Sequence, residues 1–331
     1  MMQGKVALEE HVVLPTLSTP GAVGSAAGAF EAEYFADVRR RLNDASLMRL
    51  EDMDRFGIET MVLSLSQPGV QAIADSAQAV DSARRLNDEL AEIIARHPRR
   101  FEGFAALPMQ DPAAAGDELA RAVTELGFKG ALVNGYSNVS NAETAEYLDE
   151  PAVWEFWERA AALEVPVYLH PRDPLITQRR IYEGYPALVG SAWGFGVETA
   201  THALRLIMSG LFDRFPGLTI VLGHLGEGLP FLLPRVEHRL RHVPQDLRGR
   251  QARPMMSYLR ENFFITTSGA FRTAALLDTL LEVGADRVLF SVDYPYENMQ
   301  EQSEWFEGLP ISAGDRQKMG ATNARRLLSL D

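Results

Sequence analysis

Eight short runs rich in β-branched and aromatic residues recur along the chain, at 5–8, 60–65, 101–106, 130–133, 166–170, 218–223, 263–267 and 288–292. Between them lie stretches with apolar residues three or four apart, at 76–96, 113–126, 151–163, 197–210, 229–241 and 271–283. That spacing predicts helices, and the second follows an Asp111-Pro112 start signal. Strands alternating with helices pair in parallel through right-handed crossovers. Eight such units in 331 residues predict a closed α/β (β/α)8 TIM barrel, with 1–331 forming one domain. The alternative is an open doubly wound sheet. Against it, no Gly-x-Gly-x-x-Gly follows the first strand and no P-loop motif occurs. The irregular stretches 14–29, 134–149, 171–196 and 243–254 are long enough to build a pocket or subunit contacts.

Composition narrows the function. A net charge of −13 argues against nucleic acid or anionic membrane as partner, because both need clustered Lys and Arg. A small anionic substrate stays compatible with it, since a few local arginines outweigh the global field at short range. The longest apolar candidate, 197–212, is interrupted by His202 and Arg205, and the N-terminus carries no basic region followed by an apolar signal core. Cytoplasmic location is the expectation. With no cysteine, any metal must be held by His, Asp, Glu or other oxygen ligands.

Polar groups at the C-terminal ends of barrel strands converge on one point. The first strand ends in Glu9-Glu10-His11, the fourth in Asn134 and the fifth in His170. The sixth ends in His224, the seventh in Thr267-Ser268 and the eighth in Asp293. Glu9 and His11 are two apart and leave one face of a strand, with Glu10 opposite. Joined by His170 and Asp293, they form a mixed nitrogen and oxygen site with an open water position, suited to one Zn²⁺ or Mn²⁺. A lone histidine at a strand end is ordinarily a hydrogen-bonded structural residue. Four ligand-type residues at four strand ends are harder to obtain by accident.

In Leu222-Gly223-His224-Leu225-Gly226-Glu227-Gly228 a strand ends, the glycines turn the backbone, and a helix is expected to begin near Glu227. Glu227 then lies close enough to orient His224. Arg235, eight residues on, is expected on the same helix face as Glu227, where it could bind a substrate carboxylate or form a surface ion pair. His97, His202, His238 and His242 fall on helical or flanking stretches and read as structural or solvated, with His202 under the pocket or at a contact.

The opening Gly4-Lys5-Val6-Ala7-Leu8-Glu9-Glu10-His11 resembles the start of the γ-resorcylate (2,6-dihydroxybenzoate) decarboxylases, amidohydrolase-related decarboxylases of the amidohydrolase superfamily. The resemblance continues through Phe104-Ala105-Ala106-Leu107-Pro108-Met109-Gln110-Asp111-Pro112, Tyr168-Leu169-His170-Pro171-Arg172 and Gly223-His224-Leu225-Gly226-Glu227. It reaches Ser291-Val292-Asp293-Tyr294-Pro295 and Asn323-Ala324-Arg325-Arg326-Leu327, so it covers nearly the whole chain.

This resemblance implies an amidohydrolase-type barrel that decarboxylates an ortho-hydroxybenzoate non-oxidatively and reversibly, as a metal-dependent homo-oligomer (tetramer or dimer). It places the metal on Glu9, His11, His170 and Asp293, the histidine–glutamate pair on His224 and Glu227, and substrate-pocket positions at Asn134 and Arg235. Asp293 is then the acid that protonates the ring carbon bearing the carboxylate. Two departures stand out. The loop after the first strand is longer and rich in small residues, with Phe30 as the equivalent of the aromatic that the family places over the substrate, and Tyr294-Pro295-Tyr296 stands where Trp-Pro-Phe is usual, with Tyr296 expected at the substrate. Related 2,3-dihydroxybenzoate and salicylate decarboxylases often carry alanine at the His11 position. The alternatives are another hydroxybenzoate substrate (2,3-dihydroxybenzoate, salicylate or 5-carboxyvanillate), a metal-dependent lactonase, or a silent binding barrel.

Overall fold

The structure, a computed structural model, describes residues 2–16 and 30–331. Eight parallel strands form the barrel: β1 (Lys5–Val12), β2 (Ile58–Leu65), β3 (Phe101–Gly103), β4 (Ala131–Asn134), β5 (Val167–His170), β6 (Ile220–Leu222), β7 (Phe263–Thr266) and β8 (Val288–Leu289). All eight strands expected from the sequence are present, their ends displaced by no more than a few residues. The pairing runs β1-β2-β3 and β4-β5-β6-β7-β8. Single parallel bridges, Ala105 to Ala131 and Glu10 to Tyr294, join the two groups and close the ring. Closure excludes the open doubly wound alternative.

Alternate residues of the strands fill the barrel. Val6, Leu8, Val62, Phe104, Leu132, Tyr168, Val221, Phe264 and Leu289 form one buried cluster, joined by Ala324 and Leu328 from the helix Asn323–Leu328. The opposite strand faces pack with the surrounding helices in a second, larger cluster that includes Ala7, Met61, Leu63, Ala131 and Val133.

Local chemistry explains the helix starts. Asp75 accepts from the Gln78 N–H at 2.8 Å ahead of the helix Ser76–Arg96. Asp111 accepts from the Ala114 N–H at 3.0 Å, with Pro112 in the first turn of Pro112–Thr124. The irregular stretches carry some order of their own: 134–149 holds the antiparallel pair Ser137–Asn138 and Ala145–Glu146, and 171–196 holds the 3₁₀ turn Ile176–Tyr182. Most of the stretch after β1 lies outside the described residues. No described helix is long and apolar enough to cross a membrane.

Candidate metal centre and active site

Strict alternation along β1 puts Val6, Leu8 and Glu10 on one face, yet Glu9 and His11 are the residues that share the interior with Val6 and Leu8. A register shift between Ala7 and Glu10 resolves the conflict. The N–H groups of Leu8 and Glu9 both donate to Ser291 Oγ, at 3.1 and 2.7 Å, a local bulge that re-aims every residue after it. Glu10 then points away from the interior, where the N–H groups of Val292 and Tyr294 donate to it at 3.0 and 3.2 Å. The first strand was expected to end at 8; it runs to Val12 because the bulge lets pairing with β2 resume.

Glu9, His11, His170 and Asp293 each offer one ligand atom, and these atoms all lie within 4.8 Å of one another. His11 Nε2 is 3.2 Å from Asp293 Oδ1, and His170 Nε2 is 3.3 Å from Glu9 Oε1. Both imidazoles are held from behind. His170 Nδ1 donates to Asn134 Oδ1 at 2.7 Å, which leaves Nε2 a lone pair aimed at the cluster, and His11 Nδ1 faces Ser64 Oγ at 3.3 Å. Burial holds the His170 imidazole below the usual histidine range, the neutral form a metal needs. Burial alone would raise the Glu9 carboxyl, but His224, His170 and His11 outweigh it and keep Glu9 well below the usual carboxylate range. Glu9 Oε1 and His11 Nε2 are buried without a hydrogen-bond partner, a costly state that a bound cation relieves. The donor set therefore fits one divalent metal ion.

The segment after β6 is the most strained in the site. His224, Leu225, Gly226, Glu227 and Gly228 all have positive φ, between 50° and 78°. Three of these five are not glycine, and non-glycine residues rarely occupy this region. The regular helix starts only at Leu229, after this left-handed turn, not near Glu227 as expected. The turn places His224 Nδ1 2.7 Å from Glu227 Oε1, and His224 Nε2 3.5 Å from Asp293 Oδ2 and 3.6 Å from Glu9 Oε1. Burial works against the protonated imidazole, yet Glu227, Glu9 and Asp293 outweigh it and hold His224 well above its ordinary value.

A cavity of about 680 Å³ opens onto His224, Glu227 and Asp293. Its other walls are largely apolar, among them Phe30, Trp193, Val197, Leu204, Leu232 and Val236. Phe30 stands at the cavity, and most of its loop lies outside the described residues. Glu297, which the sequence reading passed over, also lines it; burial and the nearby Asp293 push its carboxyl up to about 7. Tyr296 sits behind the centre, its ring 5.7 Å from that of His11 and its hydroxyl bonded to Ser66.

Two sequence expectations change. Asn134, expected in the substrate pocket, is buried and spends its carbonyl oxygen on His170. Arg235 does not share a face with Glu227, because Glu227 precedes the helix Leu229–Leu240. It is exposed and absent from the cavity wall, which Leu229, Leu232 and Val236 supply from that helix. His202 is a core histidine: its Nε2 accepts from the Leu148 N–H at 2.9 Å.

The chain matches the amidohydrolase family over residues 18–330. It is 52% identical over 330 residues to a gamma-resorcylate decarboxylase of Rhizobium sp. (strain MTP-10005), covering 100% of this chain and 99% of that one. A dihydroxybenzoic acid decarboxylase from Polaromonas sp. JS666, solved with manganese and the inhibitor 2-nitroresorcinol, superposes with a TM-score of 0.94 at 50% identity, covering 99% of this chain and 98% of that one. A 2,6-dihydroxybenzoate decarboxylase solved with 2,6-dihydroxybenzoate gives the same TM-score of 0.94 at 52% identity, over 99% and 100% of the two chains. The closed barrel, its rim of metal-ligating side chains and these full-length likenesses agree: the chain belongs to the amidohydrolase family, in the branch of the gamma-resorcylate decarboxylases.

Proposed function

We propose that this single-domain enzyme is a carboxy-lyase that converts 2,6-dihydroxybenzoate to resorcinol and CO2, reversibly and without an oxidant. The observation that carries the reading is the convergence of Glu9, His11, His170 and Asp293 beside the His224–Glu227 pair, at one end of a largely apolar cavity. A divalent ion on those four residues, Mn²⁺ in preference to Zn²⁺ given two carboxylate ligands and the manganese in the Polaromonas relative, supplies charge neutralisation for a bound carboxylate and phenolate.

The chain's own residues do the rest. Asp293 Oδ2 holds the proton that passes to the ring carbon bearing the carboxylate. The ring–carboxylate bond then breaks, its electron pair restores the aromatic ring, and CO2 leaves. His224 Nε2, next to Asp293 Oδ2 and fixed by Glu227, hydrogen-bonds the substrate and returns a proton to the site after each turnover. The apolar wall limits water around the developing charge. Asn134 acts by orienting His170, and Tyr296 by walling His11. Arg235, exposed and outside the cavity wall, contributes to substrate binding from a neighbouring subunit or as the substrate approaches. Exposed Ile181, Tyr185, Trp193, Phe231 and Leu281 support a homo-oligomer, proposed as a dimer or tetramer in the cytoplasm.

Ultraviolet assays with 2,6-dihydroxybenzoate, 2,3-dihydroxybenzoate, salicylate, 5-carboxyvanillate and a simple lactone test the reading. Chelator-sensitive loss of the 2,6-isomer ahead of the others is expected. Metal-loaded protein that leaves every hydroxybenzoate intact overturns it.

A further inference from the structure

The two oxygens of Glu9 have opposite surroundings. Oε1 is buried without a hydrogen-bond partner and faces His170 Nε2 at 3.3 Å. Oε2 is surrounded by hydroxyls: Tyr168 and Ser268 donate to it, and Thr266 Oγ1 lies 3.4 Å away. The hydroxyls also bond one another, Thr266 to Tyr168 at 2.9 Å and to Ser268 at 2.8 Å. All three residues are fully buried. Space is reserved for them as well. A Cβ at Gly223 would stand 2.7 Å from Glu9 Oε2 and 3.1 Å from Ser268 Oγ, so only glycine lets the carboxylate and the hydroxyl press against that strand end.

We propose that Tyr168, Thr266 and Ser268 are positioning residues that occupy Glu9 Oε2 and so present Oε1 alone to the metal, thereby setting the affinity of the centre. A carboxylate with both oxygens free could rotate or bind through both. Here each hydroxyl proton is directed at Oε2 or at a neighbouring hydroxyl, which fixes the plane of the carboxylate. Outer-sphere partners of this kind set metal affinity by about 10–100-fold. The cage is distinct in kind from the supports of His170 and His11, because it acts on the anionic ligand and takes hydroxyls from two strands, β5 and the end of β7. The inference rests on the metal site but not on the identity of the substrate.

The test is competition between the apoprotein and a fluorescent chelator for Mn²⁺, with no substrate present. Tyr168→Phe and Ser268→Ala are expected to raise the dissociation constant about 10–100-fold, while Thr266→Ser, which keeps its hydroxyl, stays within about threefold of wild type. In a Glu9→Gln background, Ser268→Ala is expected to add no further loss, because its effect passes through Glu9. Variants whose apoprotein melts like wild type and which bind Mn²⁺ as tightly as wild type overturn the cage. So does an equal loss from Ser268→Ala with and without Glu9→Gln. If Tyr168→Phe does not fold, Ser268→Ala and the cycle with Glu9→Gln decide alone. Wild-type protein that binds no Mn²⁺ overturns the metal site itself, which is a separate failure.

Discussion

Asp293 carries two duties in this account, as a metal ligand and as the group that hands a proton to carbon, and they separate experimentally. Asp293→Asn keeps an oxygen for the metal but no transferable acid. Turnover is expected to fall at least about 10³-fold, with Mn²⁺ content measured on the same sample; retained turnover in the folded, loaded variant contradicts the assignment. Glu227→Gln leaves His224 in place but removes the carboxylate at 2.7 Å from its Nδ1, and a loss of roughly 10–100-fold in kcat is expected, with KM little changed. A third residue acts on stability instead. His202 is wholly buried, burial pulls its imidazole down to about 3, and Arg205 adds to that effect. The folded value lies below the unfolded one, so the fold binds fewer protons between pH 6.5 and 3. Its stabilising share is complete above about pH 6.5 and is lost as pH falls toward about 3, by a few kcal/mol at most. Urea titrations at pH 7 and 5 should show a steeper acid loss for wild type than for His202→Asn.

At the scale of elements, the ends of the strands were legible because barrel geometry makes a polar residue there conspicuous. The helix Ser76–Arg96 was legible to the residue from its apolar spacing alone, and its Asp75 cap emerges only in the structure. What escaped was anything that depends on a local break in periodicity. The bulge at Leu8 and Glu9 rests on Ser291, which is 283 residues from Leu8, and no local pattern in β1 announces it. The left-handed turn at 224–228 looked like a helix start because glycines and a glutamate are common to both. The hydroxyl cage did leave a signal: Tyr168 and His170, and Thr266 and Ser268, are pairs two apart, which on a strand share a face. A different element shows the same backbone rule on the surface. The helix Trp154–Leu163 ends on Glu164, exposed and at φ 54°, where glycine is the usual choice. Glu164→Gly is expected to stabilise the protein by about 0.5–1 kcal/mol and to raise Tm by roughly 1 °C. A lower Tm contradicts that reading of the cap.

For the whole molecule, the strand count and the barrel were readable from alternation and length, and the rim residues from their place on the strands. The cavity was not. Its apolar wall comes from the 171–196 stretch and from the helices Gly194–Met208 and Leu229–Leu240, and no periodicity says how a long connection folds back over a barrel. The charge of −13 also gives no hint of the site, where two carboxylates and two imidazoles converge and a third imidazole faces them. In the proposed reaction this convergence replaces a carboxylate by a proton on an aromatic carbon. It is tested most directly by following 2,6-dihydroxybenzoate labelled with ¹³C in its carboxylate, in D2O, by NMR, with manganese-loaded and chelator-stripped protein side by side. Labelled CO2 and bicarbonate are expected together with resorcinol carrying deuterium at the carbon that lost the carboxylate, from the loaded protein only. Unchanged substrate in the loaded sample, or equal conversion after the metal is stripped, contradicts it.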